Sequence, residues 1–356
     1  MKIAVIGGGV FGCVTSYFLA NKGHDVTLFE KNSQILTGAS SNNQNRLHLG
    51  FHYPRDIETA IQSVQGYEEF KKHFSAACEF LFPCYYGLSK IRSKTNFDSY
   101  MLFMKQVNLK YEQVSVAEII NYGFNLNNVT HLWKCDEGVV DNEVLRILIT
   151  ENLRKHKVNV SVDDQVIDIR KERDYWHINS RNNSKNFDVV IKATYGLDNI
   201  HTEGLIKNFE KSMLQATLVI ECKLPVEKFG LTVVDGDFIT VLPKGFSDKF
   251  LVYAPGPSVM AQSKNLDVVL EASHSEEVIE KSTRELVKRF NYYFPDIKLT
   301  SITNRMITIR NLDAGTMKTD KRISKIENIS PSYYEIRSGK IDHSVLIAKK
   351  FCDYLA

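Results

Sequence analysis

Three glycines, Gly7, Gly9 and Gly12, stand directly behind the first apolar run of the chain, Met1-Lys2-Ile3-Ala4-Val5-Ile6, and each has a separate physical use. Gly7 suits a tight turn, Gly9 lets backbone come close to a pyrophosphate, and Gly12 lets a helix pack tightly on a strand. The helix they open, with Val10 and Phe11 in its first turn, aims its N-terminus at the phosphates. A second strand, Asp25 to Phe29, ends in Glu30, about 20 residues past the glycines, where a carboxylate meets a ribose hydroxyl. Lys31 follows it. A glycine-rich turn of another α/β protein would share the triplet, but the strand before it and the apolar-periodic helix after it favour a dinucleotide. With a glutamate in that place, FAD or NAD fits better than NADP.

These residues need particular elements around them. The helix carries Val10, Phe11, Val14, Phe18 and Leu19 until Lys22-Gly23 stops it. A loop of small and amide-bearing residues, Thr37-Gly38-Ala39-Ser40-Ser41-Asn42-Asn43-Gln44-Asn45, suits a polar ligand and equally a plain surface loop. An amphipathic helix is expected from about Ile57 to Phe74. Further on, Asp141 or Asn142 caps a helix over Val144 to Lys155, and Asn186 to Thr194 reads as one buried strand that turns at Gly196. From Ala216 to Pro255 the pattern becomes alternating strands rich in Val, Ile, Phe and Tyr, followed by a helix over Glu276 to Phe290.

The layout is interleaved. Residues 1–79, 138–215 and 305–356 are expected to build a Rossmann-like α/β domain with a central parallel sheet. Residues 80–137 and 216–304 are expected to build a second, α+β substrate domain on a mostly antiparallel sheet. A Rossmann dehydrogenase made of two contiguous halves does not fit this order.

Composition sets bounds. With 356 residues, 43% hydrophobic and 24% charged, the chain has ample core for two domains. A net charge of +3 implies no nucleic-acid partner, and the basic stretch Lys318 to Lys325, which carries Asp320, reads as a solvated loop. The six cysteines show neither paired nor metal-ligand spacing, so no metal site is expected, and buried thiols in a reducing compartment are. No run reaches membrane-spanning length and the first strand leaves no room for a signal peptide, so a cytoplasmic protein is expected, with peripheral membrane attachment left open.

In this order, several segments resemble the D-amino-acid-oxidase-like family of FAD-dependent oxidoreductases, which includes glycine oxidase and sarcosine oxidase. Val5 to Gly12 with Glu30 resembles its ADP-binding half. Gly138-Val139-Val140-Asp141, leading to the strand that holds Val166, is similar to the segment whose valine contacts adenine. Ala193-Thr194-Tyr195-Gly196 resembles its second flavin motif, usually Ala-Thr-Gly, with one residue inserted. Ser40 to Tyr53, including the aliphatic-His pair Leu47-His48, is similar to the branch with glycerol-3-phosphate and L-2-hydroxyglutarate dehydrogenases. Ser338-Gly339-Lys340-Ile341-Asp342-His343-Ser344 matches in place a glycine-led loop under the flavin pyrimidine.

The resemblance implies FAD, held without a covalent bond because asparagines stand where relatives carry an anchoring histidine and Cys352 lies inside the last helix. It implies cofactor contacts from Gly7, Gly9, Val10, Phe11, Gly12, Glu30, Lys31, Ser40, Ser41, Asn43, Asn45, Leu47, Val166, Thr194, Gly196, Gly339, Lys340 and Ile341. His48 is the implied base or substrate donor, suited by a pKa near neutrality, or else a satisfied core histidine. Arg310 falls where relatives hold a substrate carboxylate, which a guanidinium fork suits, or is a surface strand residue. Tyr253 faces the flavin in relatives, or is a core tyrosine; Arg46, His52, Tyr53 and Arg55 are further lining candidates. The implied reaction removes a hydride from a C–N or C–OH carbon of a small polar substrate such as an amino acid, hydroxy acid or amino-sugar derivative. The acceptor, oxygen, a quinone or another carrier, is left open. A flavin monooxygenase using NAD(P)H and a flavin-binding scaffold without substrate oxidation are the alternatives.

Overall fold

Strand β1 (Lys2–Ile6) is apolar on both faces, as a strand in the middle of a covered parallel sheet must be. It pairs in parallel with β2 (Asp25–Phe29) on one side and with Val189–Lys192 on the other. The sheet has six strands, with Asn159–Ser161 at one edge and the antiparallel pair Lys325–Ser330 and Tyr333–Arg337 at the other. The computed structural model describes residues 1–202, 212–299, 301–316 and 319–355. Alternation along β1 divides the core: Ile3 and Val5 face helix α1 (Val10–Asn21) and the C-terminal helix His343–Leu355, while Ala4 and Ile6 face Val166, Trp176 and Ile178 of a four-stranded sheet.

The stretch Asn186 to Thr194, expected as one strand, is two. Ser184–Phe187 runs antiparallel in the four-stranded sheet, and Val189–Lys192 joins β1. Asp188 makes the break: its N–H donates to the Lys2 carbonyl at 2.8 Å and its carboxylate accepts the Lys2 N–H at 2.7 Å.

The second large sheet has nine strands among the described residues, organised around the long strand Ser212–Lys223. Ser301–Asp313 pairs with it antiparallel along its whole length, from Ser212 opposite Asp313 to Lys223 opposite Ser301. Residues 305–313, expected to join the nucleotide-binding stretches, therefore sit in this sheet, and they bring Arg310 opposite Gln215. Helix Glu276–Tyr293 covers the far face with Leu286, Phe290 and Tyr293, leaving the near face to a cavity. A three-stranded sheet joins Arg46–Leu47 to Gly138–Val140 and Cys78–Glu79. All six cysteines are buried and free, and no described helix is long and apolar enough to cross a membrane.

One buried acid ties the sheet together. Burial pushes the Glu221 carboxyl up, but hydrogen bonds from Lys244, Lys249 and Thr303 outweigh it and hold it lowered to about 2. A folded pKa below the unfolded one adds stability above about pH 4.3, and that stability is lost as pH falls toward the folded value. Glu221→Gln should therefore cost about 2 kcal/mol in denaturant unfolding at pH 7, with the gap between variant and wild type closing by about pH 2. A gap that stays constant with pH would place the effect in packing instead.

Candidate active site

A cavity of about 770 Å³ opens between the parallel sheet and the near face of the nine-stranded sheet. Gly7, Gly8, Gly9, Val10 and Glu30 contribute to one group of lining residues, and His48, His52, Tyr53, Tyr253, Arg310 and Lys340 to another. The volume lies in the upper part of the range for ligand pockets.

The glycines differ in what demands them. Gly7 sits at φ +110°, and a Cβ there would meet the Ala193 carbonyl oxygen at 2.7 Å. A Cβ on Gly12 would stand 1.9 Å from the Gly7 carbonyl oxygen, so Gly12 is required by the packing of α1 on β1. Gly9 has ordinary extended backbone, and its Cβ would approach only Ser40 Oγ, at 3.3 Å. The room in front of Gly9 is therefore left open by the protein, at a helix N-terminus with no acidic residue in its first turn. Ser40 Oγ accepts the Val10 N–H at 3.0 Å. Glu30 is buried, with Oε2 accepting the Gly8 N–H at 2.7 Å and Oε1 the Asn32 N–H at 2.8 Å, which leaves lone pairs for a ribose. A Cβ on Gly8 would fall 2.8 Å from Glu30 Oε2, so the middle glycine is what lets the acid reach.

Lys31, Asn43, Asn45, Val166, Thr194, Gly339, Lys340 and Ile341 also line the cavity, as do Phe11 and Ser40. Gly12, Ser41, Leu47 and Gly196 do not. Ser41 turns its hydroxyl to the Leu36 carbonyl, and Leu47 is fully buried in the helix-covered core. Gly196 lies on an adjoining cavity of about 360 Å³, because the inserted Tyr195 takes a left-handed turn at φ 60° and stands on both cavities. The Thr194 hydroxyl is spent on Asp198. Gly339 is required by contact: a Cβ would lie 1.9 Å from the Arg322 carbonyl oxygen, and its N–H donates to Ser324 Oγ at 2.7 Å.

The residues present fit FAD. Gln44, Asn45 and His48 line the cavity, and each carries a buried side-chain atom, Nε2, Oδ1 and Nδ1 respectively, with no hydrogen-bond partner among the described residues, as polar groups beside a ligand site often are. The open backbone at Gly9 suits a pyrophosphate, and Glu30 a ribose.

At the other group, the His48 backbone N–H donates to Asp342 Oδ2 at 2.9 Å, tying it to the Gly339 loop. Burial, then the charges of Lys340, His52 and Arg46, hold the His48 imidazole well below its ordinary pKa, so it is neutral. The His52 ring lies against it, centroids 4.5 Å apart, and His52 Nδ1 is 3.2 Å from the Tyr86 hydroxyl. Arg46 is spent: fully buried, it pairs with Glu137 at 3.1 Å and donates to Tyr86 and Thr232. Arg55 pairs with Asp235 and Asp320 at the cavity's edge. Arg310 is half-buried and lines the cavity; its Nη1 donates to the Tyr253 hydroxyl at 2.9 Å while the guanidinium lies 4.6 Å over that ring.

Several lining residues escaped the pattern, Tyr195, Asn311 and Arg322 among them. Tyr195 is the insertion in the Ala-Thr-Gly motif, and Asn311 neighbours Arg310 on its strand. Arg322 lies in the basic stretch expected to be solvated, of which Lys318 falls outside the described residues. Its contact with Gly339, 17 residues along by number, is the signal, and it is visible only in three dimensions.

Residues 2–323 match the family described as FAD dependent oxidoreductase. A FAD-dependent monooxygenase of Fusarium mangiferae is 28% identical over 242 residues, 68% of this chain but 60% of that protein, so the chain spans less than two thirds of that relative. Glycine oxidase from Geobacillus kaustophilus superposes with a TM-score of 0.76 at 14% identity, covering 99% of this chain and 94% of that one. L-alpha-glycerophosphate oxidase from Mycoplasma pneumoniae, with FAD bound, superposes at 0.75 and 14% identity, covering 98% and 93%.

Proposed function

The chain belongs to the family of FAD-dependent oxidoreductases, and from that premise we propose that it removes a hydride from a carbon bearing an amine or hydroxyl in a small acidic substrate. FAD, when bound, supplies the two-electron acceptor. One observation carries the reading: a neutral imidazole with an unpartnered Nδ1 and a guanidinium with no acid partner among the described residues line the same cavity as the Gly9 cradle. Arg310, steadied by Tyr253, would hold the substrate carboxylate, and His48 would accept the proton of its amine or hydroxyl. Gly7, Gly9, Val10, Ser40 and Glu30 would hold the nucleotide part of FAD, and Gly339, Lys340 and Ile341 its ring.

The Fusarium relative's name favours a second reading, insertion of an oxygen atom. The two differ in where product oxygen comes from. Incubation with substrate under isotopically labelled dioxygen should give a carbonyl product, or the imine that hydrolyses to it, carrying no label. Labelled product would favour the monooxygenase.

A further inference from the structure

His343 opens the C-terminal helix and is fully buried against helix Ile57–Phe74. The two meet at backbone distance: a Cβ on Gly66 would lie 2.7 Å from His343 Cδ2 and 3.1 Å from the Asp342 carbonyl oxygen. Burial, then the charges of Lys340 and Lys350, lower the His343 pKa to about 3, so the imidazole is neutral and carries one proton.

Its partners fix which nitrogen holds that proton. Ser63 Oγ donates to the Thr59 carbonyl at 2.9 Å, because a carbonyl can only accept. With its one hydrogen spent, Ser63 Oγ can only accept from His343 Nε2, 3.4 Å away. Nε2 therefore carries the hydrogen and Nδ1 is bare. Nδ1 lies 2.9 Å from Ser324 Oγ, which must donate to it, and Ser324 Oγ in turn accepts the Gly339 N–H at 2.7 Å. One directed chain thus runs from the Gly339 backbone through Ser324, His343 and Ser63 to the Thr59 carbonyl. A reciprocal pair steadies its middle: the Ser324 N–H donates to Gln62 Oε1 at 2.7 Å, and Gln62 Nε2 to the Ser324 carbonyl at 2.8 Å.

The chain takes the Gly339 N–H for the protein. The N–H groups of Lys340 and Ile341, two residues that line the cavity, make no hydrogen bond among the described residues. Two neighbouring backbone donors at the start of a helix suit the negative charge that a reduced flavin gathers on its pyrimidine.

We propose that His343 is a positioning residue for the flavin: its Nδ1 lone pair, through Ser324, fixes the Gly339 loop so that the Lys340 and Ile341 N–H groups stabilise the reduced ring. This deepens the reading that sets the ring on the Gly339 loop and rests on it. His343 lines neither cavity, so its effect passes through Ser324.

The midpoint potential of the FAD-loaded protein, set against a reference dye, tests the inference and needs no substrate. His343→Leu removes both nitrogens, and the potential should fall by about 30 mV or more, roughly a tenfold loss of preference for reduced over oxidised flavin in a two-electron couple. His343→Asn puts an amide oxygen near the Nδ1 position, so it should recover most of that fall although it gives up the Ser63 contact. Ser324→Ala removes only the hydroxyl, since Gln62 holds the Ser324 backbone, and it should match His343→Leu. It also replaces His343→Leu in the comparison if that variant does not fold. An unchanged potential in Ser324→Ala would overturn the inference. So would a fall in His343→Asn as large as in His343→Leu, because volume rather than the lone pair would then be the cause. A nitrogen-15 spectrum of histidine-labelled protein at pH 7 checks the tautomer: the signals lost in His343→Asn should belong to an Nε2–H imidazole, and an Nδ1–H imidazole would overturn the chain. The hydride reading fails separately, by an absence of bleaching with every substrate while the potentials shift as expected.

Discussion

Gly9→Val should give a folded, colourless protein. The Gly9 backbone is extended, a conformation valine adopts readily, and the only atom near its Cβ is Ser40 Oγ at 3.3 Å. Ser40 Oγ, a single side-chain hydroxyl, need give by only a few tenths of an ångström. The isopropyl group instead fills the space in front of the α1 N-terminus that a pyrophosphate would occupy, so FAD affinity should fall by about 100-fold or more. Gly12→Val is the contrasting control: its Cβ would lie 1.9 Å from the Gly7 carbonyl oxygen, so that variant should lose the fold itself. Circular dichroism and thermal melting report the fold, and absorbance after FAD reconstitution reports the cofactor. A folded Gly9→Val protein with wild-type FAD affinity would contradict the cradle.

The second large effect is expected at His48. His48→Asn removes the imidazole but keeps the backbone N–H that Asp342 accepts at 2.9 Å, so the Gly339 loop should stay in place and the protein yellow. Burial pushes the Asp342 carboxyl up to about 7 against the pull of that N–H and of Lys340, so this contact is a sensitive part of the loop, and a backbone-preserving substitution is the right probe. If the imidazole accepts the substrate's proton, flavin bleaching in stopped flow should slow by roughly 10²-fold or more. Bleaching within a few-fold of wild type would make His48 a packing residue. Loss of FAD would assign it to the cofactor, leaving Arg310 and Tyr253 to handle the substrate.

The nucleotide-binding elements were legible because their requirements are local. Gly7, Gly12 and Glu30 lie within one βαβ stretch, and the turn, the close packing and the acid each dictate a residue type there. Elements whose reasons are long-range were not. Asp188 divides an apolar run through its hydrogen bonds to Lys2, 186 positions away. Ser301–Asp313 joins the large sheet because its partner is Ser212–Lys223, which periodicity cannot state. Arg46 has the appearance of a site residue, yet Glu137, 91 positions on, claims it in a buried pair. Arg322 sits among lysines in a stretch that reads as solvated, yet its N–H donates to Thr59 Oγ1 at 3.0 Å, its carbonyl lies against Gly339, and it lines the cavity.

The most direct test of hydride removal is an anaerobic spectrum. The purified, FAD-loaded protein is mixed without oxygen with NADH or NADPH alone, and separately with each member of a panel of amino acids, hydroxy acids and amino-sugar acids. At least one panel member should bleach the flavin band fully with no nicotinamide present, and neither nicotinamide should do so alone. Bleaching by NADH or NADPH with none by any panel member would contradict the account.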